Sequence, residues 1–309
     1  VTTKKGTKTN KTEVSLTQTF QYSKISFYPE FQEEFGSGGY GAYTPYENWS
    51  WGPAFDGSLK VLGSPLVDGT EQRVVYSPTD SRKKFFNTGV TRQTDLSVNS
   101  KDLYFSLQQV NIHGIVPGDE NKRTGMRLNS SREFGRFKIS ANINYIRGDF
   151  GVFDNIGMGN YNAGQGIGLN SGLLNLIFNT PAQVPIKRYK DWKSAPFAGF
   201  DTYFNHYGHN PYMALETWRV NGRVDDLLSN LEMTYRPASS LAITWRVANT
   251  FRNENDKNIS TGQSANAEIN VNGNTSIPGY VSESSFFSNR LSSEFFGSYT
   301  KKIKDFKFN

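Results

Sequence analysis

Apolar and polar residues alternate one for one in nine stretches of the chain, the periodicity of a β-strand with one dry face and one wet face. Val14, Leu16, Phe20 and Tyr22 alternate with Ser15, Thr17, Thr19 and Gln21, so 14–22 reads as a strand. The clearest case sets Phe137, Ile139, Ala141, Ile143 and Tyr145 against Lys138, Ser140, Asn142 and Asn144. Leu227, Leu231, Met233 and Tyr235 against Asn230, Glu232 and Thr234 repeat it, as do Leu241, Ile243, Trp245, Val247 and Phe251 against Thr244, Arg246 and Thr250. Weaker versions run over 90–99, 103–111, 124–131 and 286–300, and a ninth opens at Phe306.

The connections predict the architecture. Polar turns are expected at 99–102, 132–135, 236–239 and 302–305, whereas 25–89, 112–122, 148–222 and 254–283 join the strands on the other side. Three of those four far exceed the ~2–5 residues of ordinary hairpin loops. A sheet trimmed at one end and elaborated at the other is the plan of an outer-membrane barrel, with short periplasmic turns and long external loops. The alternating stretches match the roughly 9–11 residues a tilted strand needs to cross the hydrocarbon layer. The expected fold is therefore all-β, an incomplete antiparallel transmembrane barrel. Residues 12–309 supply its strands, and closure requires further strands beyond Asn309.

Aromatic positions fit the same plan, since such barrels carry a girdle at each interface. Phe20, Tyr22, Tyr145 and Phe251 fall at loop-side ends, and Phe137, Tyr235 and Tyr299 beside the tight turns. The competing architecture is a soluble sandwich, with a second sheet covering the same apolar face. On the opposite face Asn142, Asn144, Glu232, Arg246, Arg290 and Glu294 predict a polar lumen, where they bond a plug or touch solute.

Composition narrows the classes further. In 309 residues, hydrophobic types reach only 36% and mean hydropathy is −0.58, which excludes a bundle of membrane helices; aromatics at 14% exclude a disordered chain. The charge of +6 is not gathered into a stripe, so nucleic acid is not an expected partner. With no cysteine there is neither a disulfide framework nor a thiolate metal site.

Candidate chemistry is sparse. His206 and His209, with Asp201 nearby, lack a confirmed third metal ligand, and no metal or cofactor is expected. No G-x-S-x-G elbow appears, so no catalytic residues are assigned. The glycine-rich stretch at 157–168 lacks the Lys-Ser/Thr pair of a phosphate loop; it reads as a loop entering a short helix capped by Asn170 or Ser171 and ended before Pro181. Tyr40, Tyr43, Tyr46, Trp49 and Trp51, joined by Tyr212 in a later loop, offer flat rings. They contact a ligand or partner, or pack the loop on itself, its barrel or a lid.

Several motifs, in order, resemble the SusC/RagA family of TonB-dependent outer-membrane transporters. They are VTTKKG at the start, SFYPEFQEEFG, SWGPAFDG at 50–57, FFNTG at 85–89, GIVPGDENKR at 114–123, NTPAQVPI at 179–186 and NPY at 210–212. The resemblance implies that 1–11 is the exit of a plug domain and the rest is less than half of a barrel of about 22 strands. It implies a SusD-like surface lipoprotein as lid, and TonB as a partner reached through an N-terminal segment outside this sequence. It also implies the outer membrane of a Gram-negative bacterium of the Bacteroidota. Two functions follow from it: import of bulky nutrients such as oligosaccharides or peptides, or a SusC-like barrel serving as structural subunit beside other outer-membrane proteins, in an assembly or lipoprotein-export complex. The sandwich architecture carries a third reading, a soluble glycan-binding or adhesin protein.

Overall fold

The computed structural model describes residues 11–164, 172–303 and 306–308. Residues 1–10 of the expected plug exit at 1–11, the capping candidates Asn170 and Ser171, and residues 165–168 of the glycine-rich 157–168 stretch lie outside the described residues.

Eight long strands form one antiparallel sheet: β1 (Glu13–Ser23), β2 (Gly89–Ser100), β3 (Leu103–His113), β4 (Glu120–Phe134), β5 (Phe137–Phe153), β6 (Trp218–Ala238), β7 (Leu241–Ser260) and β8 (Tyr280–Tyr299). Each pairs only with its chain neighbours, the up-and-down order of a partial β-barrel. A ninth strand begins at Phe306–Phe308, paired with Lys301–Ile303. Among the described residues no helix is long and apolar enough to cross a membrane.

Register carries the hydrophobic pattern across the whole sheet. Leu16, Leu96, Leu107, Met126, Tyr145, Leu227 and Phe251 lie side by side, one per strand from β1 to β7. Val14, Val98, Phe105, Leu128 and Ile143 form the next row toward the turns. A polar row, Gln18, Thr94, Gln109, Thr124, Arg147, Asp225 and Asn253, bounds this apolar band on the loop side. Along β6 the band runs from Leu227 to Tyr235; at ~3.4 Å per residue and a tilt of about 40° that is roughly 20 Å, close to the ~25 Å apolar band of outer-membrane barrels.

The strands outrun this band. β6 and β7 contain 21 and 20 residues, about twice the length expected from alternation, and β8, also 20 residues, extends the expected 286–300 on the loop side to Tyr280. Beyond Tyr145 and Leu227 the side that carries the band turns polar, as in the ion pairs of Asp149 with Arg147 and Arg223, while apolar positions pass to the opposite side at Ile146, Phe150, Val152, Val220 and Val224 as the hydrogen-bonded ladder continues. The last three connections shrink accordingly to residues 114–119, 154–217 and 261–279, while the first, 24–88, keeps its expected length.

No second layer covers the apolar band among the described residues. Leu231 and Trp245 are 41% and 42% exposed and Phe295 76%, values a sandwich core does not tolerate. The buried core lies elsewhere, in the loops. Leu62, Phe85, Ile177, Ile186, Tyr189, Phe204 and Met213 are almost fully buried there, anchored to the sheet by Phe153 at the end of β5 and Trp218 at the start of β6. The long connections thus fold as a cap with its own interior. Short helices α1 (Ser81–Lys84), α2 (Asn155–Gly164), α3 (Leu173–Phe178) and α4 (Pro211–Thr217) contribute to it. Gly172, with no capping side chain, precedes α3, which ends short of Pro181 as the sequence predicts.

Candidate functional site

The aromatic loop folds into a small hairpin. Gly38 pairs with Tyr43 and Gly39 with Ala42, leaving the two-residue turn Tyr40-Gly41 with φ of 53° and 78°. Positive φ at both positions is the type I′ geometry that matches strand twist, and Tyr40 occupies a place usually given to Asn or Gly. Its ring is held fully in solvent. A third segment lies against the hairpin through Gly38 N–H donating to Trp49 O at 3.0 Å, Trp51 N–H to Gly38 O at 3.0 Å and Gly41 N–H to Trp51 O at 3.0 Å.

Glycine is required where these segments touch. A Cβ on Gly52 would stand 2.2 Å from the Ser37 carbonyl oxygen, and one on Gly39 would press on the Trp49 ring. The result is an open, largely apolar cavity of about 530 Å³ lined by Phe35, Tyr40, Trp49, Trp51 and Gly39, Gly41 and Gly52. Trp49 and Trp51 remain 55% and 65% exposed. Of the six aromatic candidates, the structure brings Tyr40, Trp49 and Trp51 together here.

The other three lie outside that cavity and pack on neighbouring rings. Tyr43 donates its hydroxyl to Val61 O, meets Tyr76 edge-on at 5.3 Å, and has Lys60 Nζ 5.2 Å from its ring centre; burial pushes its pKa up to about 12. Tyr46 stacks on His206 at 4.2 Å, and Tyr212 packs on Phe85 at 4.8 Å, where burial raises its pKa to about 12. Phe35 was not singled out by sequence, although its position ahead of the Gly-Ser-Gly-Gly-Tyr-Gly run marks where the hairpin would fold back.

The histidines and Asp201 have separate tasks. His206 Nε2 lies 2.9 Å from Ser64 Oγ, His209 stacks on Phe200, and Asp201 accepts from Asn266 N–H at 2.9 Å. Burial lowers the pKa of both histidines, His209 to about 4, which favours neutral rings. Among the described residues no group of three or more metal-ligating side chains is gathered.

Asn142, Asn144, Glu232, Arg246, Arg290 and Glu294 share the face opposite the apolar band. Register places Asn142 beside Asn230, Asn144 beside Leu228 and Arg290 beside Thr250. Arg246 bridges two neighbours, donating Nε and Nη2 to Glu232 at 3.0 and 2.8 Å and Nη1 to Glu294 at 3.1 Å. Toward the loops Arg252 pairs with Asp226 on β6 and with Glu254 on its own strand. The first ladder holds charged groups across three strands and the second across two, on a wet surface.

A second cavity, of about 290 Å³, opens between the segment at Gln72 and Arg73 and the 188–198 segment; no local pattern could have joined two stretches so far apart in sequence.

Comparison with solved structures matches this arrangement of sheet and loops to chains of a RagAB peptide importer. The fold is shared with those chains. The open-open state of that importer superposes with a TM-score of 0.62 at 15% identity, and the closed-closed state with 0.58 at 14%. A further RagAB peptide transporter structure gives 0.59 at 15%. Each match covers 98% of this chain and 34% of the other, so the chain spans about a third of the length of the structures it resembles. No family model and no curated protein matches the sequence.

Proposed function

We propose that this chain is the early barrel portion of a SusC-like outer-membrane transporter that admits a bulky nutrient, a peptide in preference to an oligosaccharide. The single supporting observation is a sheet with a lipid-height apolar band on one face and charged ladders on the other, matched along 98% of its length to chains of a peptide importer. On this reading Leu231, Trp245 and Phe295 meet acyl chains, while Asn142, Asn144, Glu232, Arg246, Arg290 and Glu294 line a wet lumen, bonding the plug and bordering the solute path.

The folded cap stands at the loop end, which is the extracellular side in such barrels. Tyr40, Trp49 and Trp51 present exposed rings around an apolar cavity, a surface suited to a protein lid or an apolar peptide side chain. A SusD-like lipoprotein is the partner we assign to that surface. TonB supplies the driving force through a segment outside residues 1–309.

Purification of the complete protein from outer membranes in mild detergent, followed by peptide uptake measured in cells with and without it, tests the proposal. A single co-purifying lipoprotein and protein-dependent uptake are expected. Several unrelated large barrels without uptake would instead identify a structural subunit.

A further inference from the structure

The second cavity has a chemistry distinct from the aromatic one. Its base is the side-chain pair of Gln72 and Tyr189, 6% and 1% exposed, with Gln72 Nε2 donating to the Tyr189 hydroxyl at 2.9 Å. One wall is apolar, made by Ala195, Pro196, Phe197 and Ala198, and Arg73 and Arg188 stand at the rim. Arg188 is exposed and has no carboxylate within ion-pair distance among the described residues. Arg73 is held to Glu71 at 2.7 Å, an open surface pair of the kind that contributes little and exchanges readily.

The cleft is also preorganised. Asn210, itself 1% exposed, donates Nδ2 to Tyr189 O and to Ala198 O, each at 2.8 Å, so one amide ties the base to the apolar wall. Its Oδ1 meanwhile accepts from Tyr212 N–H at 3.0 Å and fixes the start of α4. Positions held in this way lose little freedom when a ligand enters.

We propose that this cleft receives a carboxylate attached to an apolar body, specifically the C-terminal residue of a peptide; this rests on the peptide-import reading above. Guanidinium groups recognise carboxylates through paired N–H donors, which supplies the anion contact. Phe197, Pro196 and Ala195 supply the surface for the adjoining side chain. A volume of about 290 Å³ falls just under the ~300–1,000 Å³ typical of small-ligand sites, which suits the terminal residue alone. A sugar acid shares the carboxylate, but its hydroxyls need a ring of free polar groups. Here Gln72 and Tyr189 are bonded to each other and the remaining wall is apolar.

The test is titration of the complete protein in detergent with N-acetyl-Leu-Phe as the free acid, as its C-terminal amide, and with glucuronate as competitor. The acid is expected to bind on the order of tenfold more tightly than the amide. Arg188→Gln, at an exposed position that the fold does not need, should remove most of that preference; Phe197→Ala should weaken the Phe-terminated peptide more than a Gly-terminated one. Equal affinity for acid and amide, no binding of either, or glucuronate competing as well as the peptide would overturn the assignment. Uptake of the same peptide at the normal rate by cells carrying Arg188→Gln would also overturn it, while leaving peptide import standing.

Discussion

Tyr46 and His206 stack face to face, 4.2 Å between centres and 6° from parallel, and so fasten two connections that lie 160 positions apart in the chain. Ser64 Oγ completes the contact at 2.9 Å from His206 Nε2. The cap is therefore assembled by pairings between loops, and its stability depends on side chains that titrate.

Acid should loosen the cap. His206 and His209 are held below their ordinary pKa by burial, His209 at about 4, so the unfolded cap binds protons more readily than the folded one. Their contribution is present above pH ~6.5 and is lost as pH falls toward 4, by no more than ~3 kcal/mol for His209. The chain has no cysteine, so a fluorophore on Tyr207→Cys, at an exposed position, reports the cap alone. Its denaturation midpoint should fall between pH 7 and 4.5, and His209→Phe should flatten the profile; a midpoint that rises on acidification would refute the burial argument.

Asn210 binds three backbone groups. Asn210→Ala leaves two carbonyls and one N–H without that partner, a loss of roughly 2–4 kcal/mol confined to the cap. Asn210→Asp keeps the acceptor for Tyr212 N–H but loses both donations, and should recover less than half the difference. Limited proteolysis between 186 and 217 reads both effects; wild-type resistance in Asn210→Ala would contradict them.

Gly52 and Gly57 make a controlled pair. Gly52→Ala drives a methyl group into the Ser37 carbonyl, so the hairpin must open and the aromatic cavity collapse. Gly57→Ala meets no atom within 4 Å and carries only the ~1 kcal/mol cost of φ at +73°. Protease cleavage within 36–53 should accelerate strongly in the first variant and little in the second.

Leu231→Arg places a guanidinium in the middle of the apolar band and should destabilise folding into vesicles by about 2–4 kcal/mol. Asn230→Arg, one residue along and facing the other way, should cost far less. Urea titration of both variants in lipid measures the difference.

The strand pattern was legible wherever one face was dry, as at Phe137 to Tyr145, because alternation is a record of asymmetric solvation. It was missed over Trp218 to Asp226, where Arg219, Asn221, Arg223 and Asp225 make the band side polar and the apolar positions Trp218, Val220 and Val224 pass to the other side. The cap was illegible for another reason. Its core joins Leu62, Phe85, Ile177 and Phe204 from separate loops with no period to reveal them. Among the rings, sequence gave no means of separating Trp49 and Trp51, left open to solvent, from Tyr46 and Tyr212, each spent on a partner ring.

Adjacent residues on β5 give the most direct test of which face meets lipid. Ile143→Cys and Asn144→Cys, each carrying the same fluorophore, are compared in outer-membrane vesicles with a quencher attached to the acyl chains and with iodide in water. The account predicts lipid quenching at 143 and iodide quenching at 144. Iodide quenching at 143, or protection of 143 from both quenchers, would contradict it.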